Sequence, residues 1–212
     1  MKKNLITLLL LSACLVGTAC QNQSQTQSNS QTAQSTNTSA QALSQVQQDR
    51  NIDAKVTLVK YSDYQCPACK YFHNYEHQLK EDFGDDINIV VKHFPLSIHP
   101  YAHVAARSVE AARKQGKYQE MHDMIFEGQE QWSQGNAESI FIGYAQAIGL
   151  NVEQFQQDMN SADMNRIVMA DRREGRDLQV SSTPTFFING DEIENNPPTY
   201  EGFKAIVDRY MN

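Results

Sequence analysis

The chain has 212 residues, with 18 Lys and Arg against 25 Asp and Glu, a formal net charge of −7. That acidic balance, with no basic cluster, speaks against a nucleic-acid partner. Of four cysteines, two lie within the first 20 residues, and the remaining pair, Cys66 and Cys69, is too few for a disulfide-stapled scaffold.

Residues 1–19 read as a secretory signal. Lys2 and Lys3 form its positive start, and residues 5–16 supply an apolar stretch that ends in small residues. A short membrane-anchor helix is the alternative, but a span needs roughly 20 apolar residues. Residues 21–48 are almost entirely Gln, Ser, Thr, Asn and Ala, and none is charged. Such a stretch has too little apolar surface to offset its ordering entropy, so residues 20–50 are expected to form a disordered tether. Its r.m.s. reach as a flexible coil is on the order of 30 Å. A Gln/Asn-rich aggregation segment is the competing reading, and the scattered Ser and Thr and the lack of aromatics argue against it.

A signal, a cysteine and a polar tether in that order are similar to a bacterial lipoprotein. Leu11-Ser12-Ala13-Cys14 has the more usual residues before its cysteine. Gly17-Thr18-Ala19-Cys20 leads directly into the tether, and cleavage there leaves a fuller apolar region and no stray thiol. Cys20 is therefore the expected lipidation site, with Cys14 as the alternative. Stable anchoring to a membrane takes two or more acyl chains.

Residues 51–212 remain, enough for one domain with a sizeable core. Val56 to Tyr61 is rich in β-branched and aromatic residues and predicts a buried strand. Cys66 can cap the helix that follows, and Pro67 suits its first position. Phe72, Leu79 and Phe83 mark its apolar face, and Gly84 stops it. Ile87 to Phe94 predicts a second strand, closed by Pro95. This β-α-β unit implies parallel strands joined by a right-handed crossover.

The next 80 or so residues carry helical spacing only. Ala102, Ala105, Ala106, Val109 and Ala112 mark one helix, and Tyr118, Met121, Ile125 and Phe126 a second. Ile140, Phe141, Tyr144, Ala145 and Ile148 mark a third, ended by Gly149. Another begins at Asn151 or Val152 and contains Phe155 and Met159, and a charged helix follows over about residues 162–178. Strand character returns at Pro184-Thr185-Phe186-Phe187-Ile188. Asn189-Gly190 is a hairpin turn, and residues 192–194 form the expected return strand. Phe203, Ile206, Val207 and Tyr210 predict a final helix over residues 200–210.

Cys66-Pro67-Ala68-Cys69 sits at the first strand-to-helix junction, and these are the only cysteines in the folding part. The pair can act with itself, with a metal or with a partner. A CxxC pair can close a disulfide and exchange it with another protein. Cys66, Cys69, His73 and His77 also have the order of a zinc ligand set. On a helix, however, Cys69 to His77 spans about 12 Å, too far for bonds near 2.0–2.3 Å to one ion. At most Cys66, Cys69 and His73 could converge. The expectation is no metal and no cofactor, with His73 and His77 as ordinary surface or helix-face histidines. A purely structural bridge is also a weak reading, because a CxxC loop constrains the unfolded chain very little.

The stretch Ser62-Asp63-Tyr64-Gln65-Cys66-Pro67-Ala68-Cys69-Lys70-Tyr71-Phe72-His73 resembles the active-site segment of DsbA-like thioredoxin-fold proteins. Lys92-His93-Phe94-Pro95-Leu96 with His99-Pro100, Gln115-Gly116-Lys117-Tyr118 with Met121-His122, and Thr183-Pro184-Thr185-Phe186-Phe187-Ile188-Asn189-Gly190 extend the resemblance in order. It covers residues 51 to the C-terminus. It implies an α/β thioredoxin-like fold with a helical insertion, about residues 98–178, between β-α-β and β-β-α halves. It implies a cis Thr183–Pro184 bond and a Thr183 backbone that pairs with an extended substrate. Ala68 departs from the strongly oxidising members, which carry His there.

Placed at a helix N-terminus, Cys66 would be favoured as a thiolate and act as nucleophile, with Cys69, one turn in, as the resolving thiol. The expected protein is an exported, lipid-anchored thiol–disulfide oxidoreductase of the cell envelope. Its expected role is a dithiol oxidase of exported Cys-containing proteins, served by a redox recycling partner. A reductase or isomerase of the same fold, or a non-catalytic metal- or partner-binding lipoprotein, is the alternative.

Overall fold

The computed structural model describes residues 53–211. The signal, the tether, Cys14 and Cys20 lie outside the described residues.

The first half is β1 (Val56–Ser62), α1 (Pro67–Phe83), a single 3-10 turn (Gly84–Asp86) and β2 (Ile87–His93). β1 and β2 run parallel, with Val56 opposite Ile87 and Ser62 opposite His93. Pro67 opens α1, where its missing N–H costs nothing. Gly84 ends it at φ 54°, in the left-handed region that a side chain disfavours. Lys80 in the last turn carries the positive charge that suits a helix C-terminus.

Helices follow: α2 (Ala102–Arg113), α3 (Tyr118–Glu127), α4 (Gln129–Trp132), α5 (Ala137–Ala147), α6 (Val152–Met159) and α7 (Ala162–Asp177). The Asn151 side chain caps α6 by accepting from the Gln154 N–H, and Ser161 caps α7 by accepting from Met164. The one-turn helix α4 is an addition to the sequence expectation, being too short to show a period. The chain then forms β3 (Thr185–Ile188), turns at Asn189-Gly190, returns as β4 (Asp191–Glu192) and ends in α8 (Tyr200–Met211).

The sheet has the order β2-β1-β3-β4, with β3 antiparallel to both β1 and β4. β4 is shorter than the expected 192–194. Ile193 packs into the core instead, and residues 195–198 turn back toward the site.

Alternation along β1 sends its side chains to two faces. Val56 and Leu58 join Phe72, Tyr75 and Leu79 of α1 and Phe203 and Val207 of α8 in one core. Tyr61 faces the other way, toward Phe94, Val180 and Phe187. There Gly175 of α7 lets the helix approach closely, since a Cβ at this position would lie 2.8 Å from the Phe94 ring. The inserted helices bury a separate core of Ala105, Val109, Ile125, Phe126, Trp132, Phe141, Phe155 and Met159. Tyr64, Cys66 and Cys69 belong to that helical core, so the cysteine loop sits where the sheet half meets the insertion.

Candidate active site

Cys66 occupies the N-cap position of α1 in extended conformation, with φ −75° and ψ 121°. Its side chain makes no capping hydrogen bond, which corrects the sequence expectation. The Cys66 thiol donates instead to the Thr183 carbonyl oxygen at 3.3 Å. Cys66 keeps 8% of its surface exposed and Cys69 none. Both are free thiols, so the structure shows the dithiol state.

That asymmetry extends to protonation. The hydrogen bond from Cys69 is the main cause that lowers Cys66 to a pKa of about 5. Burial opposes it, while the Thr183 side chain and the backbone N–H groups of Cys69 and Ala68 add to it. A side chain at position 68 is therefore not required for a stabilised thiolate, because the Ala68 backbone contributes. Burial, followed by the Cys66 neighbour, pushes the Cys69 thiol well above its ordinary value, and the Lys60 charge and then the Asp63 backbone N–H pull the other way. Cys66 is poised as a thiolate and Cys69 as its proton-carrying neighbour.

The Thr183–Pro184 peptide bond is cis, and it lies beside Cys66. Asn196 holds this loop by donating its side-chain amide to the Pro184 carbonyl at 2.9 Å. The structure thus brings Cys66, Cys69, Thr183 and Pro184 into one place from sequence positions more than 110 apart.

Several supporting residues escaped the sequence reading. Gln129 of α4 is buried and donates to the carbonyls of Tyr64 at 2.7 Å and Cys66 at 3.0 Å. It satisfies two carbonyls of the loop before α1 from the insertion side. The buried carboxylate of Asp63 accepts from the N–H groups of Gln65 at 2.7 Å and Leu96 at 2.8 Å, and contacts His99 Nδ1 at 2.8 Å. The Asp63 backbone N–H points at the Cys69 sulfur, 3.4 Å away.

Below the cysteines lies a charged pair. Lys60 is fully buried on the α1-facing side of β1. Its ammonium contacts the Cys69 carbonyl at 3.2 Å and Glu76 Oε1 at 2.5 Å, and lies 4.9 Å over the Phe126 ring. Burial alone would raise the Glu76 carboxyl, but Lys60 and the hydrogen bond from His122 hold it well below its usual range. His122 bridges Glu76 at 3.2 Å and the Tyr64 hydroxyl at 2.7 Å. The alternating apolar pattern of β1 gives no hint that its Lys points inward.

Of the two histidines on α1, His77 is the half-exposed residue expected, whereas His73 is not at the surface. His73 is 4% exposed, because it stacks on Phe126. His73 and His77 point at Asp123 of α3, at 3.2 and 3.3 Å. The imagined four-ligand set with the cysteines does not form, since both histidines face a different partner.

Comparison with known proteins agrees with this geometry. The Thioredoxin family model matches residues 51–209. Among curated proteins, Na(+)/H(+) antiporter NhaA 1 of Mycobacterium sp. (strain KMS) is 39% identical over 143 residues, which is 65% of this chain and 22% of that protein. The chain thus spans about a fifth of the length of that relative. A thioredoxin-like oxidoreductase from Silicibacter pomeroyi DSS-3 superposes with a TM-score of 0.64 at 25% identity, covering 75% of this chain and 88% of that one. BdbD from Bacillus subtilis superposes with a TM-score of 0.67 at 23% identity, covering 76% and 89%. Wolbachia pipientis alpha-DsbA1 gives 0.65 at 20% identity, covering 74% and 86%. The chain belongs to the thioredoxin family, and it shares its fold with BdbD and alpha-DsbA1.

Proposed function

We propose that the protein is a thiol–disulfide oxidoreductase working as a dithiol oxidase on exported proteins. The observation that carries this reading is the stabilised Cys66 thiolate, with a pKa of about 5, beside a buried Cys69. A thiolate that is stable in the dithiol state favours the reduced enzyme, and so makes its disulfide an oxidant. The value lies between the roughly 7 of thioredoxin and the roughly 3.5 of DsbA.

In the forward step a substrate thiolate attacks the Cys66 sulfur of the Cys66–Cys69 disulfide. A substrate–Cys66 bond forms, the intramolecular bond breaks, and Cys69 leaves and takes up a proton. A second substrate thiolate then attacks its own mixed disulfide and releases Cys66 as a stable thiolate. The substrate has lost two electrons and the enzyme has gained them. A recycling partner must remove that pair. The cis Thr183–Pro184 segment, with its backbone beside Cys66, provides the shelf for an extended substrate.

The location proposed is the cell envelope. Residues 1–19 would direct export, Cys20 (or Cys14) would carry the lipid, and residues 20–50 would tether the domain of residues 51–212. No described helix is long and apolar enough to cross a membrane.

A trap tests the exchange. With Cys69→Ser, covalent partners should accumulate on Cys66 in the envelope and vanish on reduction. The oxidised protein should also form disulfides in a reduced, unfolded substrate. Failure of both in folded protein would remove the reading in favour of a partner-binding module.

A further inference from the structure

We propose that His73, His77 and Asp123 form a binding site for a divalent transition-metal ion of the zinc class, joining α1 to α3. The proposal stands apart from the thiol chemistry.

His73 and His77 lie four residues apart on α1 and so project from the same face. Their Nε2 atoms are 3.3 Å from each other. Asp123 Oδ1 is 3.2 Å from His73 Nε2 and 3.3 Å from His77 Nε2. The three atoms form a nearly equilateral triangle. A tetrahedral ion with bonds of about 2.0–2.2 Å holds its ligand atoms roughly 3.3–3.6 Å apart. The side chains already have that spacing.

Hydrogen bonding alone accounts poorly for the triangle. Gln119 Nε2 also donates to Asp123 Oδ1, at 2.8 Å. If both imidazoles donate to this oxygen as well, three donors crowd one acceptor that has two lone pairs. Two Nε2–H groups would then also face each other at 3.3 Å. If one imidazole gives up its proton, one of the contacts to the carboxylate becomes repulsive. A cation at the centre removes the conflict, since the three atoms then present lone pairs to it and Gln119 keeps its bond.

The surroundings fit a ligated His73. Its Nδ1 is buried and has no hydrogen-bond partner, and Glu76 Oε2 lies 3.6 Å away. Ligation through Nε2 leaves the proton on Nδ1, directed at that carboxylate, the outer-shell arrangement that metal-bound histidines usually show. His122 offers a nitrogen within 4.8 Å of the His73 and Asp123 ligand atoms, but its nitrogens serve Glu76 and Tyr64. The His77 side chain is 49% exposed and that of Asp123 24%, so an ion can enter and a fourth position stays open to water. Two imidazoles and one carboxylate suit zinc and its neighbours in the first transition row, whereas calcium and magnesium take oxygen ligands.

Reduced CxxC thiols bind zinc themselves, so the test uses the full chain with Cys66–Cys69 oxidised and any remaining thiol alkylated. Equilibrium dialysis against Zn²⁺ should give one ion per chain at micromolar concentration, and Mg²⁺ should not compete. Co²⁺ should give the intense visible bands of a four-coordinate site. His77→Ala, at an exposed position, and Asp123→Ala should each weaken binding by at least about 10-fold, with the thermal transition of the metal-free protein retained. No stoichiometric zinc binding by the oxidised protein would overturn the proposal. So would binding that survives both substitutions in folded protein.

Discussion

The Cys66 sulfur sits 3.3 Å from the carbonyl oxygen of Thr183, a residue 117 positions downstream. That contact joins the two halves of the fold at the point where chemistry takes place. It requires β1 and β3 to be neighbours, and they are paired through Tyr61 opposite Thr185.

The first prediction concerns protons. With a Cys66 pKa of about 5, its alkylation rate should rise through a midpoint near pH 5 and stay flat above it. The folded value lies below the ordinary thiol value of 9.0. The thiolate's contribution to the stability of the reduced protein is therefore fully present above pH 9 and lost as pH falls through about 5. Between these limits reduction takes up one proton with two electrons, so the potential should change by about 30 mV per pH unit rather than about 59. Voltammetry or glutathione titration over that range measures the slope.

Gln129 is expected to stabilise the cysteine loop by satisfying two buried carbonyls. Gln129→Leu leaves both without that donor. Urea unfolding should show a loss of about 1–3 kcal/mol.

The Lys60–Glu76 pair should behave as a coupled unit. Lys60→Met removes the contact at Glu76 Oε1 and leaves a buried carboxylate short of a counter-charge, at a cost of about 3–5 kcal/mol. Lys60→Met combined with Glu76→Leu should recover much of that loss, and a double-mutant cycle by urea unfolding measures it.

At Gly175 two effects oppose each other. Alanine favours a helix over glycine by about 1 kcal/mol. The added Cβ would meet the Phe94 ring at 2.8 Å and Tyr61 at 2.9 Å, an overpacking cost of about 1–3 kcal/mol. Gly175→Ala should therefore lower the denaturation midpoint.

Much of this architecture can be read in the residues themselves. Period-2 and helical spacing mark the strands and longer helices because those elements bury one face. Pro67, Gly84 and Asn189-Gly190 mark ends and turns because their backbones accept what other residues resist. That the Thr183-Pro184 segment meets the CxxC is what the family resemblance implied, since neither segment alone shows it. What stayed hidden depends on tertiary partners. Nothing local shows that Lys60 turns inward to Glu76, that Gln129 reaches the Cys66 carbonyl, or that His73 and His77 meet Asp123 across two helices. The contribution of Ala68 is hidden for the same reason. Its side chain adds nothing to the thiolate, but its backbone N–H does.

The most direct test of the central claim is the reduction potential of the Cys66–Cys69 pair at pH 7, measured against a glutathione buffer. The stabilised thiolate predicts a value between the about −180 mV of disulfide isomerase and the about −120 mV of DsbA. A value near the −270 mV typical of thioredoxin would contradict the assignment as a dithiol oxidase.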